Sequence, residues 1–214
     1  MSPVPVRIGV LALQGSFSEH IASLQRLGIY AVEVRLAAHL AGVDALIMPG
    51  GESTTVLKLL DLYELRAPVL ERIRGGMPVL GTCAGTVCLA REITTHDMSP
   101  LGAVDMRVAR NAFGRQVESF EEDLVIQGIE GGPFRGVFIR APIIESCWGE
   151  ARVVATLEDG TIAACRQGNI MVTAFHPEFV DDLRVHRLFV DMVRGSKETS
   201  SSSVDEMPHG LRAR

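Results

Sequence analysis

The chain has 214 residues, 47% of them hydrophobic and 22% charged, which is enough for one domain with a substantial core. Its net charge is −5 and it has no lysine- or arginine-rich run, which argues against a nucleic-acid-binding surface. No apolar run is long enough to span a bilayer, and the N-terminus lacks the pattern of a signal peptide. We therefore expect a cytoplasmic globular protein that binds neither nucleic acid nor a membrane.

The first half of the chain alternates short apolar runs with segments that have helical apolar spacing. Glycine and proline mark several boundaries, as at Gly28, Pro49-Gly50-Gly51 and Gly75-Gly76. Strands that alternate with helices are typical of a parallel sheet covered on both faces. The predicted strands are 6–13, 30–36, 45–48 and 78–82, and the predicted helices are 18–27, a segment capped by Ser53 or Thr54, 68–74 and 84–93.

After about residue 100 the pattern changes to short strands separated by turns. We expect a three-layer α/β fold with a mostly parallel central sheet, helices on both faces and added antiparallel strands. Residues 1–194 are expected to form a single domain, whereas the serine-rich segment 195–214 has no apolar period and is expected to be disordered. The predicted strands here are 104–108, 124–126, 137–139, 153–157, 161–165 and 170–175, and the last predicted helix is 183–193.

The segment Gly81-Thr82-Cys83-Ala84-Gly85 places a cysteine between two glycines at a predicted strand-to-helix junction. A nucleophile elbow has this form, because its sharp and strained turn tolerates only small residues beside the nucleophile. At such a junction the helix dipole favours the Cys83 thiolate, and the backbone N–H of Ala84 can stabilise an oxyanion. The alternative is a buried structural cysteine in a glycine-rich turn.

The other cysteines have no comparable pattern. Cys88 falls inside a predicted helix, and Cys147 and Cys165 have no flanking motif, so all three are expected to pack in the core. The sequence contains no C-x-x-C pair and no zinc-finger spacing. We therefore expect no disulfide framework, no metal site and no cofactor.

The segment Phe175-His176-Pro177-Glu178 follows an apolar strand and offers a base for the cysteine. A cysteine nucleophile needs a group that takes its proton and later returns it to the leaving group. That group in turn needs an acceptor on its second ring nitrogen, which fixes its tautomer and orientation. His176 and Glu178 match these roles, and both this segment and the elbow lie where strands of open α/β sheets end. Taken alone, a His-x-Glu segment is more simply a surface turn.

The segment Pro49-Gly50-Gly51-Glu52-Ser53-Thr54 also comes directly after a strand. Its two glycines permit a close approach of the backbone to a ligand. A phosphate cradle is one interpretation, but the lysine of a P-loop is missing. A turn that binds substrate through an N–H group, or an ordinary strand-to-helix turn, are the other two.

Together these segments resemble the triad (class I) glutamine amidotransferases, which combine a cysteine elbow with a late His-Pro-Glu on an α/β sheet. Within that class the chain is most similar to the family of glutaminase subunits of pyridoxal 5'-phosphate synthase. The motifs run in the order of that family and cover nearly everything before the C-terminal segment. They are 11–15 with Glu19-His20, 49–54, 81–85, 110–116, 118–120, 137–142, 166–168, 175–178 and the final helix. The segment Thr86-Val87-Cys88 departs from the bulkier aliphatic residues usual in the family.

The resemblance implies hydrolysis of L-glutamine through a γ-glutamyl thioester on Cys83, with His176 as base and then acid, oriented by Glu178. It implies glutamine binding by Gly51, Glu52, Ser53, Arg110, Ile139 and Arg140, with oxyanion contacts from Ala84 and Gly51. An arginine suits the α-carboxylate of the ligand because its planar fork binds in a bidentate manner. Without the resemblance, surface ion pairs would be the simpler interpretation of Arg110 and Arg140.

The resemblance further implies that ammonia passes to a separate synthase (lyase) subunit in a large hetero-oligomer that makes vitamin B6. Gln14 and Gly15 would lie near the active site and the partner contact, and Glu19 and His20 would belong to the exposed face of the following helix. Two alternatives stay open: a related cysteine hydrolase or chaperone-like protein of the same α/β class, and a catalytically silent docking subunit of the synthase.

Overall fold

The computed structural model describes residues 5–94, 98–110 and 119–205, and for 199–205 it describes the backbone only. The family motif at 111–116 and Glu118 lie outside the described residues. The strands are β1 Arg7–Leu11, β2 Tyr30–Val34, β3 Ala45–Met48, β4 Val79–Thr82, β5 Ala90–Ile93, β6 Val104–Ala109, β7 Ser119–Leu124, β8 Phe134–Ile139, β9 Ile143–Cys147, β10 Arg152–Thr156, β11 Ile162–Gln167 and β12 Ile170–Thr173. The helices are α1 Phe17–Arg26, α2 Ala37–Leu40, α3 Ser53–Leu62, α4 Arg66–Arg74, α5 Ala84–Leu89 and α6 Arg184–Asp205, with a 3-10 turn at Pro177–Phe179.

A central sheet carries the strands in the order β2-β1-β3-β4-β12-β11-β9-β6-β5, with β10 paired to β11. The five strands from β2 to β12 are parallel to one another, and the pairs of β11 with β12, β9 and β10 are antiparallel. The second sheet is the antiparallel pair β7-β8. The expected combination of a mostly parallel sheet with added antiparallel strands is thus present.

The core lies on both faces of the central sheet because successive strand residues point in opposite directions. In β3, Ala45 and Ile47 belong to one buried cluster, and Leu46 and Met48 belong to the other. All four side chains are fully buried. Strands buried on both faces read as continuous apolar runs, which is why the sequence located β1, β3, β4 and β12 well.

The predicted helix 84–93 is wrong in its second half. Helix α5 ends at Leu89, and β5 follows at once and pairs in parallel with β6. The reason lies outside the segment: the carbonyls of Cys88, Leu89 and Ala90 accept hydrogen bonds from the backbone of residues 101–103 instead of from a next helical turn.

Three further elements were missed or misplaced. Strand β7 ends at Leu124, where a strand was predicted to begin, because its acidic sequence Ser-Phe-Glu-Glu-Asp-Leu hides a two-residue alternation. Strand β9 and the one-turn helix α2 were not predicted. Each is short and has polar or small residues that give no clear period.

Helix α6 was predicted to end at Val193, but in the structure it continues to Asp205. The expected disorder of the serine-rich segment stays a prediction. Lys197 holds this extension against the domain: its Nζ donates to Asp44 Oδ1 at 2.9 Å and to the Pro5 carbonyl at 3.1 Å. Residues 206–214 lie outside the described part of the chain. A division into a domain at 1–194 and a polar C-terminal segment stays a prediction.

Candidate active site

The functional motifs meet at one edge of the central sheet, where its parallel strands have their carboxyl ends. Cys83 follows β4, and His176 comes shortly after the neighbouring strand β12. The turn at Gly50 and Gly51 follows β3 on the other side of β4, and Gln14 follows β1. Open α/β sheets place their sites at this edge because the loops that leave adjacent strands converge there.

Cys83 has the backbone geometry of a strained turn. Its φ of 46° and ψ of −103° lie in a region that residues with a side chain rarely adopt, and α5 begins at the next residue. A β-carbon at Gly85 would lie 2.0 Å from the Met48 carbonyl oxygen, and one at Gly81 would lie 2.6 Å from the Leu89 side chain. Glycine on both sides is therefore a steric condition of this turn.

His176 connects the thiol to a buried carboxylate. Its Nδ1 lies 2.7 Å from Oε1 of Glu178, and its backbone N–H donates to the Val137 carbonyl at 2.8 Å. Burial lowers the pKa of His176, but the hydrogen bonds and negative charges of Cys83 and Glu178 outweigh it and raise the pKa to about 10. The His176 ring is therefore held in its protonated form beside the Cys83 side chain.

Glu178 stays ionised although it is buried. Burial alone would raise its pKa, but the electrostatic interaction with His20, the hydrogen bond and charge of His176, and a hydrogen bond from Ser16 lower it to about 2. The Ser16 hydroxyl donates to Oε1 at 2.6 Å. Glu178 is therefore a fixed hydrogen-bond acceptor for the imidazole.

A cleft of about 450 Å³ opens above Cys83 and His176. All the residues predicted to bind glutamine or an oxyanion line it. Of the residues predicted to contact a partner, Gln14 lines the cleft, whereas Gly15, Glu19 and His20 do not. Arg140, at the wall, has a φ of 45°, which marks a second strained position in the cleft. The lining residues are Gln14, Gly51, Glu52, Ser53, Cys83, Ala84, Val87, Arg110, Ile139, Arg140, Pro142, His176 and Phe179.

Two of the predicted glutamine-binding residues pair with each other across the cleft. Arg110 donates from Nη2 to Glu52 Oε1 at 2.5 Å and from Nη1 to Thr54 Oγ1 at 2.9 Å. The Arg110 side chain is mostly buried, at 11% exposure, whereas that of Glu52 is 53% exposed. The guanidinium is thus held in place at the cleft wall, and the carboxylate is the solvent-exposed partner of the pair.

The turn after β3 brings its backbone very close to its neighbours. A β-carbon at Gly50 would lie 2.2 Å from the His176 ring, and one at Gly51 would lie 2.4 Å from Gln14 Oε1. Gln14 Oε1 accepts the backbone N–H of Glu52 at 2.6 Å. The prediction that Ser53 or Thr54 caps α3 is wrong, because Glu52 occupies the cap position and accepts the Thr54 N–H.

The residues predicted to contact a partner separate in the structure. Glu19 is exposed and Gln14 is partly exposed at the cleft, but His20 is fully buried beneath the site. The expectation that His20 belongs to an exposed face is therefore wrong. Gly15 has a φ of 100° and packs so closely on Gly50 that a β-carbon would lie 1.8 Å from the Gly50 carbonyl oxygen. Its place is below the cleft and not at its mouth.

Sequence reasoning missed Ser16 and Phe179. Phe179 stacks on the His176 ring, with centroids 5.0 Å apart and the planes 19° from parallel, and its exposure is 44%. It follows directly after the His-Pro-Glu motif, so its position offered a signal. Ser16 offered none, since its partner Glu178 lies 162 residues further along the chain.

The remaining cysteines stay outside the cleft. Cys88 is fully buried, and burial raises the pKa of its thiol to about 12. Cys147 and Cys165 are both free thiols, and their sulfur atoms lie 2.6 Å apart, a contact that was not predicted. Within the described residues no group of three or more His, Cys, Asp and Glu side chains is placed to hold a metal ion.

The comparison with known proteins agrees with this geometry. The family model of the SNO glutamine amidotransferases matches residues 10–195. Pyridoxal 5'-phosphate synthase subunit PdxT of Nocardia farcinica is 49% identical over 207 residues, which are 94% of this chain and 92% of that protein. The protein of the same name from Moorella thermoacetica is 54% identical over 188 residues, 88% of this chain and 100% of that protein. A crystal structure described as a glutamine amidotransferase has a TM-score of 0.83 and 48% identity, and covers 87% of this chain and 98% of its own.

The fold and the cysteine–histidine–glutamate arrangement define a triad glutamine amidotransferase, and the predictions of the fold class and of the enzyme class are confirmed. The chain belongs to the SNO glutamine amidotransferase family. No helix in the described ranges has the length and apolar character that crossing a bilayer requires.

Proposed function

We propose that the chain releases ammonia from L-glutamine at Cys83 and delivers it to the lyase subunit of a pyridoxal 5'-phosphate synthase. The observation that carries this proposal is the linked set of Cys83, His176 and Glu178 at the base of an open cleft. The relatives at 49% and 54% identity are named as subunits of that synthase, which supports the choice of partner.

The reaction uses the thiolate–imidazolium pair twice. The Cys83 thiolate attacks the carbonyl carbon of the side-chain amide, and the backbone N–H groups of Ala84 and Gly51 stabilise the oxyanion. The His176 imidazolium gives its proton to the amide nitrogen, the C–N bond breaks, ammonia leaves and a γ-glutamyl thioester remains. Water then attacks the thioester while His176 takes one of its protons. The C–S bond breaks, glutamate leaves and the initial pair is restored.

The substrate's backbone groups would meet the charged wall of the cleft. In the structure Arg110 is paired with Glu52. The α-carboxylate of glutamine would replace Glu52 on the guanidinium, and the freed Glu52 carboxylate would face the α-ammonium group. Ser53, Ile139 and Arg140 complete this end of the site.

A synthase partner would dock at the mouth of the cleft. Two apolar side chains are exposed there: Ile139 at 39% and Phe179 at 44%. Glu19, on the exposed side of α1, and Gln14 at the cleft are the candidate partner contacts. A cytoplasmic location and a large hetero-oligomer complete the proposal.

A catalytically silent docking subunit is the alternative of a different kind. Such a subunit would need no ionised, buried carboxylate behind its histidine, since holding Glu178 charged in the interior is costly without a function. The related cysteine hydrolases or chaperone-like proteins are not favoured, because His-Pro-Glu supplies the base and carboxylate here.

The test is glutamate release from glutamine by the protein and its cognate synthase subunit. Cys83→Ala is expected to lose the activity entirely, because the thioester cannot form. Cys88→Ala is the matched control: this thiol lies five residues further on in α5, outside the cleft, and its loss should leave the activity in place. Equal activity of Cys83→Ala and the wild type would overturn the proposal.

A further inference from the structure

Two buried histidines lie behind the active site and take no part in the reaction described above. His20, on α1, and His186, on α6, are both fully buried, and neither lines the cleft. His20 Nδ1 lies 2.9 Å from His186 Nε2, and His20 Nε2 lies 3.1 Å from the hydroxyl of Thr82 and 3.3 Å from Glu178 Oε2. These side-chain contacts connect the carboxylate of the triad with Thr82, the residue directly before the nucleophile.

The contacts of the two rings determine their tautomers. Glu178 is ionised, so its oxygens accept hydrogen bonds only. Oε2 has no hydrogen-bond partner within the described residues, and its contact with His20 Nε2 at 3.3 Å is a close charge contact that a proton on Nε2 makes attractive. His20 must therefore carry its proton on Nε2, facing Oε2 and Thr82. Its Nδ1 then accepts, so His186 donates from Nε2.

This assignment of tautomers also fits the surroundings of His186. The Nδ1 atom of His186 has no partner in the described part of the structure. In the assigned tautomer that atom is a bare acceptor, whose burial costs less than burial of an unpaired N–H group. The opposite tautomer would leave a buried donor unsatisfied and would turn the lone pair of His20 towards a carboxylate.

Both rings are neutral at physiological pH. Burial lowers the pKa of His20 against the attraction of Glu178, with smaller effects of His176 and Glu19. Burial also lowers the pKa of His186 to about 3, with His20 and Arg26 acting in the same direction and Glu178 opposing them. A neutral donor can hold a carboxylate without adding a second positive charge beside His176.

We propose that His20 and His186 form a relay of hydrogen bonds that positions Glu178, and through it His176, for catalysis, with His20 holding Glu178 Oε2 and His186 fixing the tautomer of His20. The inference rests on the proposed glutaminase reaction. Ser16 holds Oε1 from the other side, so that both oxygens of the carboxylate are constrained. Neither histidine touches substrate, so both are positioning residues.

The first test removes the donor and then restores it. His20→Leu is expected to lower kcat for glutamate release about 10- to 100-fold, because Glu178 Oε2 loses its one polar contact with α1, with little change in KM. His20→Gln keeps an acceptor and a donor along the same direction and should recover most of kcat. If His20→Gln is as impaired as His20→Leu while both variants stay folded, the proposal is wrong.

A double-mutant cycle tests the order of the relay. Because His186 acts only through His20, His186→Leu should lower kcat in the wild type and cause no further loss in the His20→Leu background. Independent, multiplicative losses would overturn the proposed order. Leu24→Ala is the matched control for simple destabilisation: it opens a cavity in the same helix, lowers Tm and should leave kcat and the pH profile unchanged.

Histidine tautomers can be observed directly by ¹⁵N–¹H long-range correlation NMR. At pH 7 both His20 and His186 should give the spectrum of a neutral ring protonated on Nε2, in the wild type and in the inactive Cys83→Ala protein alike. A ring protonated on Nδ1 at His20 would refute the proposal whatever the kinetics show. A wild type that releases no glutamate would refute the proposed function instead, and the NMR result would still stand.

Discussion

The charges of the active site are coupled through His176, which interacts with both the Cys83 thiol and the Glu178 carboxylate. The two anionic partners hold the proton on the imidazole far above the pH at which a free histidine loses it. In the folded state the pKa is about 10, against 6.5 for an unperturbed ring. The folded protein therefore binds this proton more tightly than the unfolded chain does.

This difference predicts a pH dependence of stability. The contribution of His176 is complete below pH 6.5 and is lost as the pH rises through about 10, because the folded state must then release a proton that it held tightly. Glu178→Gln removes one anionic partner and should lower the pKa of His176. The difference in unfolding free energy between wild type and variant should then shrink as the pH rises across this range. Denaturant titrations at several pH values measure it, and a difference that stays constant would contradict the assignment.

Cys83, His176 and Glu178 could be predicted from the sequence because they follow apolar strands closely and are accompanied by glycine or proline. These are local signals. The roles of Ser16 and His20 depend on contacts with residues 162 and 166 positions away, which no local pattern encodes. His20 was misplaced for that reason: a polar residue on an amphipathic helix is normally exposed, and its contacts with Thr82, Glu178 and His186 make its burial favourable.

Among the elements, those of the parallel half were the most predictable. A short apolar run that ends at Pro49 or Gly81 is too short for a buried helix, so a buried strand is the simplest prediction. By contrast, Ala90–Ile93 has the composition of a helix and becomes a strand because β6 lies beside it. Pairing with β8 also decides β7, in which Glu121 and Asp123 are exposed and Phe120 and Leu124 lie on the more buried face. Contacts with the rest of the protein also explain why α6 continues beyond its last apolar residue, since Lys197 binds Asp44 and Pro5.

The length of α6 predicts the effect of a substitution at Gly195. This residue lies inside the helix with open space around a β-carbon. Gly195→Ala should therefore stabilise the protein by about 0.5–1 kcal/mol, since alanine loses less backbone entropy in a helix. Gly76→Ala is the control: the space is equally open, but its φ of 88° disfavours alanine, so Tm should fall. If the helix ended at Val193, Gly195→Ala would leave Tm unchanged.

For the whole molecule, the two ends of the central sheet have different surroundings. The carboxyl end holds the cleft with its exposed apolar residues Ile139 and Phe179. The opposite end has a charged groove lined by Asp44, Glu71 and Lys197, among others. A partner that receives ammonia would dock at the carboxyl end, since ammonia has to pass from the cleft to the partner without escaping into solvent.

This polarity predicts which surface charge affects coupling to the synthase. Glu19 is exposed on α1, the helix that follows the Gln14 loop, whereas Glu71 is exposed on α4 beside the opposite groove. The rate of glutamate release should rise when the synthase subunit is added. Glu19→Arg should reduce the ratio of the rates with and without the partner, because a reversed charge at an interface opposes association. Glu71→Arg makes the same charge change far from the cleft and should keep the wild-type ratio. For Glu19→Arg the ratio should be low at a subsaturating concentration of the synthase subunit and recover as that concentration is raised. A deficit at Glu71 with none at Glu19 would place the docking surface at the other end of the sheet.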